Sequence, residues 1–183
     1  MINHNEKNII MDKASAKRVL SRMAYEIIEK NKGAENLAVI GIETRGVLLA
    51  KLLVDNIEMI EGIRPKMGSL DITFYRDDLT RLTKHPVVKG NDIAFSVEDK
   101  KIILVDDVLF SGRTIRAAME ELFDMGRPEK IELAVLIDRG GRELPIQADF
   151  IGKNVPTSKE EYINVEVNES EIEKVSICTM EGK

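Results

Sequence analysis

After Asp12, apolar residues recur at Ala16, Val19, Leu20, Met23, Ala24, Ile27 and Ile28. That spacing predicts an amphipathic helix, started by Asp12 and stopped at Gly33. Residues 37–42 form a short unbroken apolar run, the pattern of a strand buried on both faces. A tight turn at 43–46 then leads into a second helix carrying Leu48, Leu49, Leu52, Leu53, Ile57 and Ile60. Leu70, Ile72 and Phe74 alternate with Asp71, Thr73 and Tyr75, so 70–75 reads as a half-exposed strand. From 76 to 91 the chain has no period and is rich in charge, which marks a functional loop or disorder.

The pattern then repeats itself. Residues 101–105 form a strand, and a helix runs to Met125, closed by Gly126 and Pro128. Residues 131–137 are another buried strand, and 148–152, 162–167 and 175–179 read as short strands. The order β-α-β, an arm, then β-α-β predicts a mostly parallel sheet flanked by helices. Ligands of such sheets sit at the carboxyl ends of strands. Three loops, 43–46, 106–114 and 138–142, fall there and converge on one cleft.

Composition changes this picture little. The 183 residues suit one domain: a core over about 12–138, a C-terminal part over 139–183 and a loop at 76–91. A lone Cys178 excludes a disulfide framework and a zinc cluster, and reads as a small apolar residue of a late strand. The first residues lack a signal-peptide core, and no apolar run is long enough to span a bilayer, so the expected location is cytoplasmic, with no membrane partner. A net charge of −5 argues against a surface that binds nucleic acid all round. The charge is uneven, however: residues 1–32 carry seven Lys/Arg against four acids, and 159–183 carry three Lys against seven Glu.

The chemistry concentrates in Val105-Asp106-Asp107-Val108-Leu109-Phe110-Ser111-Gly112-Arg113-Thr114. Ser111 to Thr114 place backbone N–H groups and two hydroxyls at a helix N-terminus, a ready anion site. Two adjacent carboxylates repel a phosphate. They suit neutral hydroxyls, or a Mg²⁺ that itself sits on phosphate. The implied ligand therefore carries a phosphate with a diol or metal nearby, as a phosphorylated ribose does. Two other readings stand beside it: an ordinary strand-turn-helix corner, and a Walker-B strand. The second needs a Walker-A loop, and Gly41 to Leu48 has the glycine spacing without the following Lys-Ser/Thr.

This segment resembles the signature of type I phosphoribosyltransferases, which use phosphoribosyl pyrophosphate (PRPP). The blocks 43–46, 71–79, 139–145 and 151–158 are similar to one subfamily, the PyrR proteins: bifunctional pyrimidine operon regulators and uracil phosphoribosyltransferases. The likeness runs from about Met11 to Val167. It implies the type I phosphoribosyltransferase fold with a small C-terminal hood, and a homodimer or larger homo-oligomer. It also implies conversion of uracil and PRPP to UMP and pyrophosphate, with Mg²⁺ held mainly by PRPP. Asp106 and Asp107 would then bind the ribose hydroxyls, and Leu109, Phe110, Ser111, Gly112, Arg113 and Thr114 the 5′-phosphate, with Val108 a further contact of PRPP or UMP. Thr44 and Arg45 would hold pyrophosphate, and Arg76 would close over the site. Arg139 and the backbone near Ile163 would face uracil, with an ion pair in the hood as the other reading of Arg139.

The resemblance further implies UMP-dependent binding of pyrimidine operon leader RNA, promoting transcription termination. Lys17, Arg18, Arg22 and Lys30 lie off the apolar stripe of the first helix, and Arg18 and Arg22, four apart, share a face. With Arg142 of the hood they are the expected RNA contacts, against the plainer reading of a solvated charged face. The chain departs from the family pattern at Tyr25, Gly141 and Gln147. Two alternatives remain for the whole: a PRPP- or UMP-sensing regulator with negligible catalysis, and a purine phosphoribosyltransferase that binds no RNA.

Overall fold

A computed structural model describes residues 4–72 and 91–180. The central sheet has five parallel strands: β2 (Leu37–Ile42), β3 (Lys66–Leu70), β4 (Lys101–Leu109), β5 (Lys130–Asp138) and β6 (Phe150–Asn154), in the order β3-β2-β4-β5-β6. Side chains of β4 alternate between two cores. Ile103 and Val105 join the core under α1 (Lys13–Asn31) and α2 (Arg45–Glu61), while Ile102 and Leu104 join the core under α3 (Arg113–Met125). A strand feeding two cores must be apolar at every position, which is why its sequence showed a run and not an alternation.

The strand order reverses between β2 and β4. From β2 the chain goes outward to β3, and β4 returns on β2's other side, with β5 and β6 beyond it. A crevice opens where neighbouring strands send their connections in opposite directions. The loops after β2 and β4 border it.

A second sheet is antiparallel, in the order β1-β8-β7, from β1 (His4–Asp12), β7 (Glu161–Val167) and β8 (Ile172–Met180). Its Ile163, Val165, Ile172 and Val175 share the core of α1 and α2. This sheet draws on both ends of the described chain, and β6 belongs to the large sheet. The boundary expected at residue 139 therefore does not coincide with the boundary between sheets. Cys178 is buried on β8, as a small apolar residue would be.

Two elements differ from the sequence pattern. The strand expected over 70–75 lies earlier, at Lys66–Leu70. Gly68 hid it, being required where Asp92 O would come within 2.9 Å of a side-chain β-carbon. Ile72 is buried beyond that strand's end, and residues 73–75 lie outside the described residues. β1 was not expected. Its polar sequence pairs with β8 across two register shifts, which break any period-two pattern.

The small sheet is tied across its width by charge. Lys7 on β1 reaches Glu161 Oε1 at 2.7 Å, and Ser158 N donates to Glu161 Oε2 at 2.8 Å. The Lys7 ammonium, first, and the Ser158 N–H hold the Glu161 carboxyl down from 4.5 to about 2. A carboxyl lowered on folding stabilises the fold above its unfolded pKa and loses that contribution as pH falls through the folded one. Acid unfolding should thus carry a component between pH 4.5 and about 2 that Glu161→Gln removes. Parallel stability curves for the two proteins over that window would refute the tie.

Candidate functional site

β4 extends further than its apolar run suggested. Asp106 pairs in register with Val135, and Leu109 with Asp138, so both acids stand on the strand itself and not in the loop after it. Asp106 is 9% exposed. Its Oδ1 accepts from Asp107 N at 2.9 Å, and Asp107 Oδ1 accepts from Val108 N at 2.9 Å. Each carboxylate is thereby fixed in direction at the edge of the crevice.

A cleft of about 500 Å³ opens there, lined by Arg45, by residues 106–115, and by Arg139 and Ile163. A neighbouring hollow of about 370 Å³ shares Arg45, Asp106 and Asp107 and adds Glu43, Thr44 and Val167. The structure thus brings together all the residues expected to hold PRPP. Arg76 lies outside the described residues, as does the rest of the segment 76–90. Glu43 belongs to the loop 43–46 expected here, whereas Ile115 and Val167 were not anticipated, since ordinary apolar residues carry no motif.

Two helices begin at this cleft. α2 starts after Thr44 and α3 after Gly112, and neither has a side-chain cap or an acid in its first turn. α1 starts away from it, with Asp12 Oδ1 accepting from Ser15 N at 2.7 Å. The first turn of a helix leaves N–H groups without intrahelical partners. At α1 the protein supplies its own anion. At α3 Arg113 N donates to Ser111 Oγ at 3.3 Å, while among the described residues no N-cap side chain or first-turn acid serves the other first-turn donors of α2 and α3, and the positive ends of both helix dipoles point to the same crevice.

The glycines expected to matter divide by function. A β-carbon at Gly46 would lie 2.5 Å from Val105 O, and one at Gly41 would lie 2.5 Å from Gly46 O. These two let α2 start directly against β2 and β4, so the Walker-like spacing is a packing device. Gly112 has φ +93°, a left-handed conformation that turns the loop after β4 into α3.

Charge at the site is arranged in pairs. Arg45 Nη1 stands 3.6 Å from Asp107 Oδ2. Arg113 Nε donates to Glu143 Oε2 at 2.7 Å. Arg139 stacks on Phe110, its guanidinium carbon 4.0 Å from the ring centroid. It donates to Thr157 Oγ1 at 2.8 Å and to the carbonyls of Glu161 at 2.8 Å and Ser158 at 3.3 Å. Burial, the larger influence, pulls its pKa down, against the nearby Glu161 carboxylate. Arg139 therefore both lines the cleft and fastens the 157–161 segment to the end of β5.

The expected RNA face is less uniform. Arg18 donates to Ser15 Oγ at 2.9 Å, and Lys17 pairs with Glu171 at 2.7 Å. Lys30 is held by Asp149 at 2.5 Å, the main cause of its raised pKa. Arg22 turns to β6, where Nη2 donates to Gly152 O at 2.7 Å and Ile151 O at 3.0 Å. Arg142 is turned inward, 23% exposed, against Asp138. The four-residue spacing of Arg18 and Arg22 thus does not make one free basic face. Arg22→Ala should cost about 1–2 kcal/mol, read as a lowered melting temperature, by leaving strand carbonyls without their charged donor. An unchanged melting temperature would show water replacing it at no cost.

Asp106 and Asp107 are hard oxygen donors facing the cleft. Among the described residues no group of three or more His, Cys, Asp or Glu side chains could hold a metal alone. Two carboxylates suit a Mg²⁺ whose remaining oxygen positions come from diphosphate and water.

The phosphoribosyl transferase domain family matches residues 8–170. The bifunctional protein PyrR of Caldicellulosiruptor saccharolyticus is 60% identical over 160 residues, covering 87% of this chain and 88% of that protein. The PyrR protein of Bacillus mycoides is 54% identical over 168 residues, covering 91% and 93%. Among solved structures, a hypoxanthine phosphoribosyltransferase of Trypanosoma cruzi superimposes with a TM-score of 0.73 at 18% identity, over 96% of this chain and 98% of that one. A hypoxanthine-guanine phosphoribosyltransferase of Bacillus anthracis gives 0.71 at 16%, over 96% and 99%. At those identities the likeness is one of fold.

Proposed function

The chain belongs to the phosphoribosyl transferase family, among its PyrR proteins, and from that premise we propose that it converts uracil and PRPP to UMP and pyrophosphate. The observation that carries the chemistry is the pair of helix N-termini that, among the described residues, have no N-cap side-chain bond and no first-turn acid, set on either side of two carboxylates. The arrangement suits a ligand with an anion at each end and a diol between them, which is PRPP.

The 5′-phosphate sits on the N–H groups of 111–114, with the Ser111 and Thr114 hydroxyls beside it. Asp106 and Asp107 accept hydrogen bonds from the ribose hydroxyls. Arg45 and the start of α2 take the diphosphate. Arg139, Phe110 and Ile163 flank the uracil. As the bond from ribose C1 to diphosphate breaks, positive charge grows on the ring and negative charge on the leaving group. The carboxylates stand near the first and Arg45 near the second, so both are countered by groups already in place. Mg²⁺, when bound, further neutralises the diphosphate. The protein's part is to position uracil nitrogen in line with C1 and to keep the charges apart, and no nucleophilic side chain is required.

A panel of uracil, hypoxanthine, guanine and adenine, each with PRPP and Mg²⁺, tests this directly. Turnover of uracil alone is expected. Turnover of a purine base instead would assign the other specificity, and no turnover with retained PRPP binding would leave a sensor.

We also infer the second function of the PyrR proteins, UMP-dependent binding of pyrimidine operon leader RNA as a homo-oligomer. Arg18 on α1, which donates to Ser15 of the same helix, supports it best, since Lys17, Arg22, Lys30 and Arg142 are engaged with other parts of the protein. Arg18→Ala should weaken leader RNA binding and reduce its salt slope by about one, through one fewer phosphate contact. Uracil turnover should stay unchanged. An unaltered slope would move the RNA site away from α1.

A further inference from the structure

The phosphate loop has a back as well as a front. An anion loop works only if its amide N–H groups face the ligand while its carbonyls turn away and find donors elsewhere. Here the carbonyls of Leu109, Phe110 and Ser111 face the segment 138–146. Leu109 O accepts from Arg139 N at 3.1 Å, and Ser111 O accepts from Glu143 N at 3.0 Å and Leu144 N at 3.1 Å. Those are backbone bonds, open to almost any sequence. The carbonyl between them, Phe110 O, accepts from a side chain, Arg142 Nη1, at 2.8 Å.

All three nitrogens of Arg142 are engaged. Nε donates to Ile146 O at 2.8 Å, Nη1 also lies 3.4 Å from Gly140 O, and Nη2 meets the Asp138 carboxylate. The other oxygen of Asp138 accepts from Gly140 N at 3.0 Å. Gly141, at φ +75°, lets the segment lie this close: a β-carbon there would fall 2.3 Å from the Phe110 ring. The Phe110 residue is thus fixed by its carbonyl on Arg142 and by its ring between Arg139 and Gly141.

We propose that Arg142 is a positioning residue of the phosphoribosyl site, which turns the Phe110 carbonyl away from the ligand and so aims the N–H groups of the loop at the 5′-phosphate. Asp138 orients Arg142. The Asp138 carboxylate cancels the guanidinium charge, so the contribution is one of geometry and not of electric field. The proposal rests on the reading of 109–114 as the phosphate loop. It gives Arg142 a role other than contact with RNA.

The test is the preference for phosphorylated over unphosphorylated ligand, measured by calorimetry: ribose 5-phosphate against ribose, and UMP against uridine. Ribose 5-phosphate contains no base, so that comparison is independent of which base the enzyme uses. In Arg142→Gln both preferences should fall about 10- to 100-fold, the worth of one or two charge-assisted hydrogen bonds, while uridine affinity holds. Arg142→Lys, which keeps the charge and loses the fork, should recover only part. If Arg142→Gln does not fold, Asp138→Asn should show the same loss in milder form. An unchanged preference overturns the proposal, as does equal weakening of UMP and uridine, which would mark general damage. It is overturned as well if leader RNA affinity falls while the preference for phosphate holds. A wild type with no preference for ribose 5-phosphate over ribose removes premise and proposal together.

Discussion

Asp107→Asn is expected to lower kcat/KM for PRPP about 10²- to 10³-fold while the melting temperature moves by only a few degrees. The first part follows from what the carboxylate does in the complex. A hydrogen bond from a ribose hydroxyl to a charged acceptor is worth about 1.5–3 kcal/mol, and the amide loses the charge for both such bonds. Together with the missing counter-charge to the developing ribosyl cation, this amounts to about 3–4 kcal/mol, which is that range in rate. The second part follows from what the carboxylate does in the free protein. Its pairing with Arg45 is long, at 3.6 Å, and Arg45 is 46% exposed, so it adds little to stability. Its other bond, from Val108 N to Oδ1, survives in the amide, whose carbonyl also accepts. Steady-state kinetics with uracil and PRPP, beside a thermal melt, separates the two parts. Activity within about twofold of wild type would end the assignment of Asp107 to the ribose.

Gly112→Val should be more severe, abolishing measurable binding of both UMP and PRPP. Gly112 has φ +93°, and for a residue with a β-carbon that region costs roughly 1–2 kcal/mol, more for a branched one. A β-carbon would also come within 3.2 Å of Ile146 Cδ1, a side chain with some room to move. Those terms weaken the fold without destroying it. The larger effect is on the ligand, because relieving the strain rotates the peptide units whose N–H groups hold phosphate. Gly112→Ala should show the strain with less of the crowding, and bind weakly. Calorimetry with UMP decides between them. Wild-type affinity in the valine variant would mean that the phosphate lies elsewhere than on residues 111–114.

The sequence announced the site more fully than it announced the frame around it. Asp106 through Thr114 could be read because acids, a small polar loop and a helix start are local chemistry, independent of what packs behind them. The parallel strands were legible for a related reason: burial on both faces leaves a run of apolar residues that nothing else resembles. β1 was hidden because its pairing comes from a distant strand and slips twice, so no local period survives. The strand Lys66–Leu70 was hidden by Gly68, whose reason is a backbone oxygen from Asp92 that the sequence cannot show. Where the side chains of Arg22 and Arg142 end was not legible. Spacing says which face of an element a side chain leaves from, but a long side chain ends where its acceptors are, here on strand and loop carbonyls. Asp138 had a usable signal, an acid closing an apolar strand at the start of a loop expected to reach the cleft.

The pairing of β1 with β8 has a bearing on how the protein is made. His4 lies opposite Met180, so β1 is synthesised well over a hundred residues before the strand that partners it. At usual rates of synthesis that wait is on the order of ten seconds or more. For all of it β1 is an unpaired edge, the state in which strands find wrong neighbours. Its lysine and glutamate, and the two irregularities in its register, make it a poor template for any other strand meanwhile. Ile163, on the wall of the cleft, belongs to β7, which pairs with β8, so the nascent chain carries residues 106–114 well before it can complete that wall.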